Sequence, residues 1–378
     1  LPGAKRDFGT KKMFESYLSD TVSDGMMVVC ANINYLKKEK IMTIMTVGID
    51  LAKNVFSVHG VYENGKVALR RCVRREQLLD LIATLPPCVV AMETCSGAHH
   101  WARQFTTLGH TAKLIAPKFV APYRMSGKRG KNDAADAAAI CEAASRPKMR
   151  FVPVKTLDQQ ASLCVHRARQ GFIEERTATI NRMRGLLSEF GIVLPQSANT
   201  VRQQAGAALE DLPGWANRAV GDLLSHLHAL DLRIAEYDSH IKLSAQADER
   251  ARRLMSTPGI GPTTASALIA SVGNAHEFKN ARQLAAWLGL VPSQYSTGGK
   301  PRLGRITKAG GAYLRTLLIL GARSVLANAS GKTDRISRWA LAVQERAGYG
   351  KALVAIAAKN ARMAWAMLSK GEAFRAMA

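Results

Sequence analysis

Two apolar runs, each closed by a carboxylate, constrain this chain more than any other feature. Ile44-Met45-Thr46-Val47-Gly48-Ile49 ends in Asp50, and Cys88-Val89-Val90-Ala91-Met92 ends in Glu93. Short apolar runs bounded by polar residues read as buried strands. An acid at the end of such a strand sits on a rigid element, where its position is fixed. Asp133 and Asp136 add a second pair in KNDAADAAAI, three residues apart and therefore on one face of a helix. Four such carboxylates can converge on hard divalent cations. Two-metal phosphoryl chemistry needs a set of this kind: one ion activates the attacking oxygen and the other stabilises the leaving oxygen. Mg²⁺ suits it, because it takes oxygen ligands and keeps waters. Singly the parts are ordinary. A helical DxxD pair is usually a solvated face, Asp50 could cap a turn, and Glu93 could pair with a base.

The elements around these acids follow a recognisable order. TIMTVGID reads as a strand and NVFSVHGVY as its hairpin partner. KVALRRCV reads as a third strand after the turn Glu63-Asn64-Gly65. A helix at about 75–85, the strand 88–93, a helix around 98–108 and a strand at 111–116 come next. The helix carrying Asp133 and Asp136 closes the series. Three meandering strands followed by strand–helix alternation predict an α/β RNase H-like domain over 44–152. Residues 1–43 lack strong patterning and read as an extension, with Met42 or Met45 standing as a functional start.

Residues 153–252 are polar and helical. Leu223, Leu227, Leu230, Ile234, Tyr237 and Ile241 are spaced as an a/d seam. The seam fits a helical hairpin closing on itself as well as it fits a dimerising coiled coil. Leu163, Ile173, Ile180 and Leu187 of the preceding helix, about 157–190, are the partners in the first case. From 253 to 378 the chain reads as a mainly α domain interrupted by a basic, glycine-rich loop.

Charge narrows the partner. Lys and Arg number 53 against 29 Asp and Glu, a net charge of +24, which favours a polyanion. Nucleic acid leads and an anionic membrane competes; no stretch of 18 uncharged apolar residues could span a bilayer. Arg124, Lys128, Arg129 and Lys131 run directly into Asp133 and could hold a phosphate backbone beside the metals. The six cysteines form no CxxC pair, which argues against a zinc or redox motif. The expected compartment is reducing and cytoplasmic.

Two segments of the last domain carry possible contacts. LMSTPGIGPTTASALIASVG, residues 254–273, reads as helix, turn, helix. Its Gly259 and Gly261 could present backbone N–H groups to phosphate, as a helix-hairpin-helix element does. A plain packing turn fits equally well. GLVPSQYSTGGKPRLGRITKAGGAYLR, residues 289–315, reads as a flexible basic loop with Lys300, Arg302, Arg305 and Lys308. A serine among glycines and cations suits a nucleophile, since nearby positive charge stabilises alkoxide and phosphate. Ser-Thr-Gly-Gly is also ordinary turn chemistry.

GIDLAK around Asp50, METCSG around Glu93, KNDAADA around Asp133 and Asp136, and YSTGGKPRLGRITKAG near the end resemble one family. They are similar to the DEDD transposases of bacterial insertion sequences, relatives of the Piv-type invertases, a resemblance that implies the RNase H-like domain is RuvC-like. The likeness runs from about 46 to about 370. It implies that Asp50, Glu93, Asp133 and Asp136 are metal ligands and that a serine just before glycine attacks DNA to form a phosphoserine link. Ser296 takes that role here. Some members place serine directly before the first glycine, a position held here by Thr297. The resemblance also implies a structured non-coding guide (bridge) RNA that pairs with donor and target DNA. Cutting and rejoining four strands implies a homodimer or homotetramer.

The expected activity is therefore Mg²⁺-dependent, RNA-guided DNA transposition or site-specific recombination. A Holliday-junction resolvase or structure-selective endonuclease would use the same acids without the serine. A nucleic-acid-binding protein with a decayed site would need neither.

Overall fold

A computed structural model describes residues 44–124 and 132–374. It opens with three antiparallel strands, β1 (Ile44–Asp50), β2 (Val55–Tyr62) and β3 (Val67–Arg74). One 3-10 turn and α1 (Leu78–Ala83) lead to β4 (Val89–Glu93). Then come α2 (Ala98–Thr107), β5 (Thr111–Ile115), α3 (Pro117–Val120), α4 (Asp133–Ala144) and β6 (Phe151–Val152). The six strands form one sheet in the order β3-β2-β1-β4-β5-β6. β4 lies parallel to β1 and to β5, and β6 is an antiparallel edge.

Side-chain alternation assigns the two faces of this sheet. Val47, Ile49, Val90 and Met92 point into a core with Leu78 and Ile82 of α1 and Trp101 and Phe105 of α2. Ala91 and Ile115 face the other way, onto Ile140 and Ala143 of α4. Gly48 also faces α4. A Cβ there would lie 2.3 Å from the Ala137 carbonyl oxygen and 2.5 Å from the Cys141 nitrogen. Only glycine lets the helix sit this low on β1.

Two long helices follow, α5 (Leu157–Ser188) and, after α6 (Ala198–Ala207), α7 (Gly214–Ala247). Arg169 pairs with Asp238 at 2.5 Å and Arg176 with Asp231 at 3.4 Å. Rising numbers on α5 thus meet falling numbers on α7, so the two run antiparallel. Leu227, Leu230, Ile234 and Ile241 of the predicted seam are buried. Leu227 shares a core with Ile180, Met183 and Leu187 of α5 and Val201 of α6. Tyr237 meets Phe172, ring centroids 5.5 Å apart. The seam is therefore covered by the same chain along these residues.

The remainder is mainly helical: α8 (Glu249–Met255), α9 (Pro262–Val272), α10 (Ala281–Trp287), a hairpin of β7 (Pro292–Gln294) and β8 (Leu303–Ile306), then α11 (Ala312–Ala327), α12 (Arg335–Ala347) and α13 (Tyr349–Lys370). α13 is the centre of this bundle, burying Ala352, Ile356, Ala357, Ala361 and Ala364. His166 of α5 joins the arm to the bundle. Its ring is 3.1 Å from the Tyr313 hydroxyl of α11 and 3.0 Å from Ser266 Oγ of α9. Burial, and then Arg169, lowers its pKa to about 4, so it sits neutral. No helix among the described residues is long and apolar enough to cross a membrane.

Candidate active site

The alternation that builds the core also sets the acids. Ile49 pairs with Met92, so Asp50 and Glu93 are the next residues along two neighbouring parallel strands. By period two, both share the face of Gly48 and Ala91, the face covered by α4. Asn132 caps that helix by accepting from the Ala135 N–H at 3.1 Å. The capped first turn presents Asp136 to the same place.

Arg124 joins two of the acids. Its Nη2 donates to Glu93 Oε1 at 3.0 Å. Its Nε lies 2.7 Å from Asp136 Oδ1, an ionic contact without hydrogen-bond alignment. The carboxylates are sheltered, with side chains 14% and 5% exposed, against 32% for Arg124. Cys95 reports the same field. Burial first, then the charges of Asp50 and Glu93, push its thiol pKa up. Asp50 and Glu93 thus end neighbouring strands, and Arg124 ties Glu93 to Asp136, at the carboxyl ends of β1 and β4, the usual location of chemistry in α/β sheets. Asp133 opens α4 one turn earlier and is solvent exposed.

Arg124, expected beside a phosphate backbone, is engaged here with the carboxylates. Lys128, Arg129 and Lys131 lie outside the described residues. No three His, Cys, Asp or Glu side chains among the described residues gather closely enough to hold a metal ion. The donor chemistry nevertheless fits a hard cation. The atoms that would hold it are carboxylate oxygens on rigid elements, and a guanidinium lies between Glu93 and Asp136.

The serine segment, expected as a loop from its composition, forms a hairpin. Gln294 pairs with Leu303, the Tyr295 N–H donates to the Arg302 carbonyl at 2.9 Å, and Thr297 bridges Lys300. Gly298 and Gly299 have φ of 56° and 76°, the positive values a tight hairpin turn requires. Ser296 sits just before this tip, exposed, its Oγ accepting from Gln294 Nε2 at 2.7 Å. Thr297 belongs to the turn bridge itself. Lys300, Arg302, Arg305 and Lys308 are all exposed, and none forms an ion pair among the described residues.

The root of the hairpin is tight. A Cβ on Gly310 would fall 2.1 Å from the Trp287 carbonyl oxygen, and one on Gly289 would fall 2.3 Å from that of Ala309. Arg315 donates to the Leu288 carbonyl at 3.2 Å across the same junction.

The Gly259–Gly261 turn divides into two roles. Gly259, at φ 84°, packs on α11, where its Cβ would lie 2.7 Å from the Gly321 carbonyl oxygen. Gly261 caps α9 with open space beside it. Packing therefore accounts for the first glycine. The contributions of Gly48 and Gly321 are invisible in sequence, because each depends on a backbone far along the chain.

With this geometry in view, comparison with known proteins is direct. Residues 47–192 match the DEDD transposase family of the IS110 type, and residues 251–338 match the family described as "Transposase IS116/IS110/IS902 family". The chain is 48% identical to the "Probable family 20 transposase" of Pseudomonas aeruginosa, over 88% of this chain and 99% of that protein. It is 41% identical to the "Transposase for insertion sequence element IS1111A" of Coxiella burnetii, over 94% of this chain and 98% of the relative. For the "Transposase for insertion sequence element IS1328" of Yersinia enterocolitica the identity is 40%, over 88% and 98%. Matches of this extent show that the chain belongs to the IS116/IS110/IS902 family of insertion-sequence transposases.

Proposed function

We propose that this transposase cuts and rejoins DNA through a composite site. Its acidic half is Asp50, Glu93, Asp133 and Asp136 on an RNase H-like sheet; its nucleophilic half is Ser296 on the β7–β8 hairpin. The observation that carries the reading is that Asp50 and Glu93 end neighbouring strands on the face covered by α4, where Arg124 bridges Glu93 and Asp136. Sheltered carboxylates at neighbouring strand ends are costly to a fold without a cationic partner.

The acids would hold divalent cations, Mg²⁺ by donor chemistry, with Asp133 joining from the exposed first turn of α4. When bound, such ions supply Lewis-acid stabilisation of charge developing on phosphate oxygens. Arg124 is the group that must yield or rotate for Glu93 and Asp136 to take a new partner. It then lies free to meet a phosphate.

Ser296 Oγ would attack a DNA phosphorus. The new O–P bond forms as the bond from phosphorus to the departing strand's oxygen breaks. The serine proton goes to solvent or base, and the departing strand gains a hydroxyl. Attack by a second strand's hydroxyl on the phosphoserine reverses the balance, freeing the serine and sealing the DNA. Lys300, Arg302, Arg305 and Lys308 surround this position with positive charge suited to the phosphate. A guide RNA pairing with donor and target DNA would leave the protein to grip backbone and shape. A homodimer or homotetramer would bring together the four strands that recombination exchanges.

The test is recombination of element-end DNA in cells carrying the whole element. Ser296→Ala should abolish strand joining and Thr297→Ser should not. Undiminished recombination by Ser296→Ala would remove the serine from the mechanism and leave a resolvase-type reaction of the acids alone. Sequencing nucleic acid that co-purifies with the protein tests guidance. A discrete element RNA supports it, and random cellular RNA contradicts it.

A further inference from the structure

We infer that the cleft between the sheet domain and the C-terminal bundle is a channel for a single-stranded nucleic-acid segment, running from the acidic face to the root of the serine hairpin. This rests on the reading that both halves act on the same strands.

The cleft encloses about 2120 Å³. Lys113 of β5, Lys118 of α3, and Lys148 and Arg150 ahead of β6 line one side, and Lys279 lines the other. None of these five forms an ion pair among the described residues. Of the three acids in the walls, Asp248 is already bound to Arg250 at 2.7 Å. So many unneutralised cations around one space repel each other, and a polyanion relieves that repulsion.

Aromatic rings accompany the charges. Lys118 and Lys113 already cover one face each of Phe119 and Phe151, at 4.9 and 5.0 Å. Trp287, 37% exposed, lines the same cleft from the bundle and offers a ring on which an unpaired base can stack. A duplex offers phosphates but no free base faces, so it would use only the cations.

The lining makes the cleft more than a basic surface. It includes Ala116, next to Ile115, whose carbonyl accepts from the Thr94 N–H at 2.9 Å beside Glu93. It also includes Ala309 and Gly310, where the β7–β8 hairpin that carries Ser296 is rooted. A strand in the channel would connect the two chemical halves within one chain.

The experiment uses the full-length protein and fluorescently labelled oligonucleotides of about 12 nucleotides, within the span of known single-strand sites. Anisotropy titrations compare single-stranded DNA, single-stranded RNA and the matching duplex over a range of salt. Lys148→Gln, Arg150→Gln and Lys279→Gln combined should weaken single-strand binding at least tenfold. The slope of log affinity against log salt should flatten by about 2, near 0.7 for each lost phosphate contact. Duplex binding should weaken less. The two single-strand arms tell a DNA strand from a guide-RNA segment. Single-strand affinity unchanged within twofold, or an equal loss for duplex, overturns the channel.

Should the triple variant unfold, Lys279→Cys carrying a benzophenone maleimide tests the same point. It should photocrosslink to the single strand, and absence of crosslinking overturns the proposal. These binding data stand apart from catalysis. If Asp136 and Ser296 variants kept full activity, the composite site would fail while the channel result remained readable.

Discussion

The acidic face and the serine hairpin contribute to one proposed reaction but are built in opposite ways. Asp136 is buried and bound to Arg124, on a helix pressed against β1 at Gly48. Ser296 is exposed on a two-stranded hairpin, where a Cβ on Gly298 or Gly299 would have open space. Rigidity enters the hairpin only at its root, where Gly289 and Gly310 approach backbone closely. The difference teaches that ligands for cations need pre-set positions, whereas a nucleophile that must reach a strand needs a fixed base and a free tip.

Asp136→Ala is the strongest way to break the comparison. It should lower strand cleavage by about 10³-fold or more, about 4 kcal/mol in the barrier, as measured on element-end DNA with Mg²⁺. Activity within tenfold of wild type would remove the acidic face from the chemistry.

Gly48→Val comes next. Its side chain must displace α4, so thermal unfolding should show a loss of about 3 kcal/mol. Gly298→Ala, where only the backbone angle resists, should cost about 1 kcal/mol. Equal effects at the two sites would deny that one half is rigid and the other free.

His166 sharpens the picture at the joint that relates the two halves. Its folded pKa, about 4, is below the unfolded value near 6.5, so the unfolded chain binds the extra proton between them. Stability from this group is complete above pH 6.5 and is lost as pH falls toward 4, by roughly 3 kcal/mol. Urea unfolding across that range should show the decline, and His166→Gln should flatten it.

A further effect lies at the hairpin root. Gly310→Ala adds a Cβ against the Trp287 carbonyl at positive φ and should cost about 2 kcal/mol. Hydrogen exchange should show the loosening confined to the hairpin and α10, leaving the sheet unchanged.

Much of the sheet domain was legible in sequence because burial writes itself as alternation. β1, β2, β3, β4 and β5 all lie on the runs read as strands. β6 was not seen, since Phe151–Val152 is too short to carry a pattern. The hairpin was hidden because its glycines and cations resemble a loop, and strand pairing there depends on backbone rather than on apolar periodicity. Arg124 shows the limit for sites. Sequence gives its charge and its place near Asp133, but not that folding turns it onto Glu93 and Asp136. Gly48 and Gly321 show the same limit for packing: their necessity is written in Ala137 and Gly259, many residues away.

The most direct measurement is a denaturing gel of the protein after reaction with labelled element-end DNA in Mg²⁺, using complexes purified from cells carrying the whole element. Wild type should carry a covalently attached DNA strand. Ser296→Ala should carry none, and Asp136→Ala should carry little or none, because both halves are required to form the phosphoserine. An adduct that persists in Ser296→Ala would contradict the composite site.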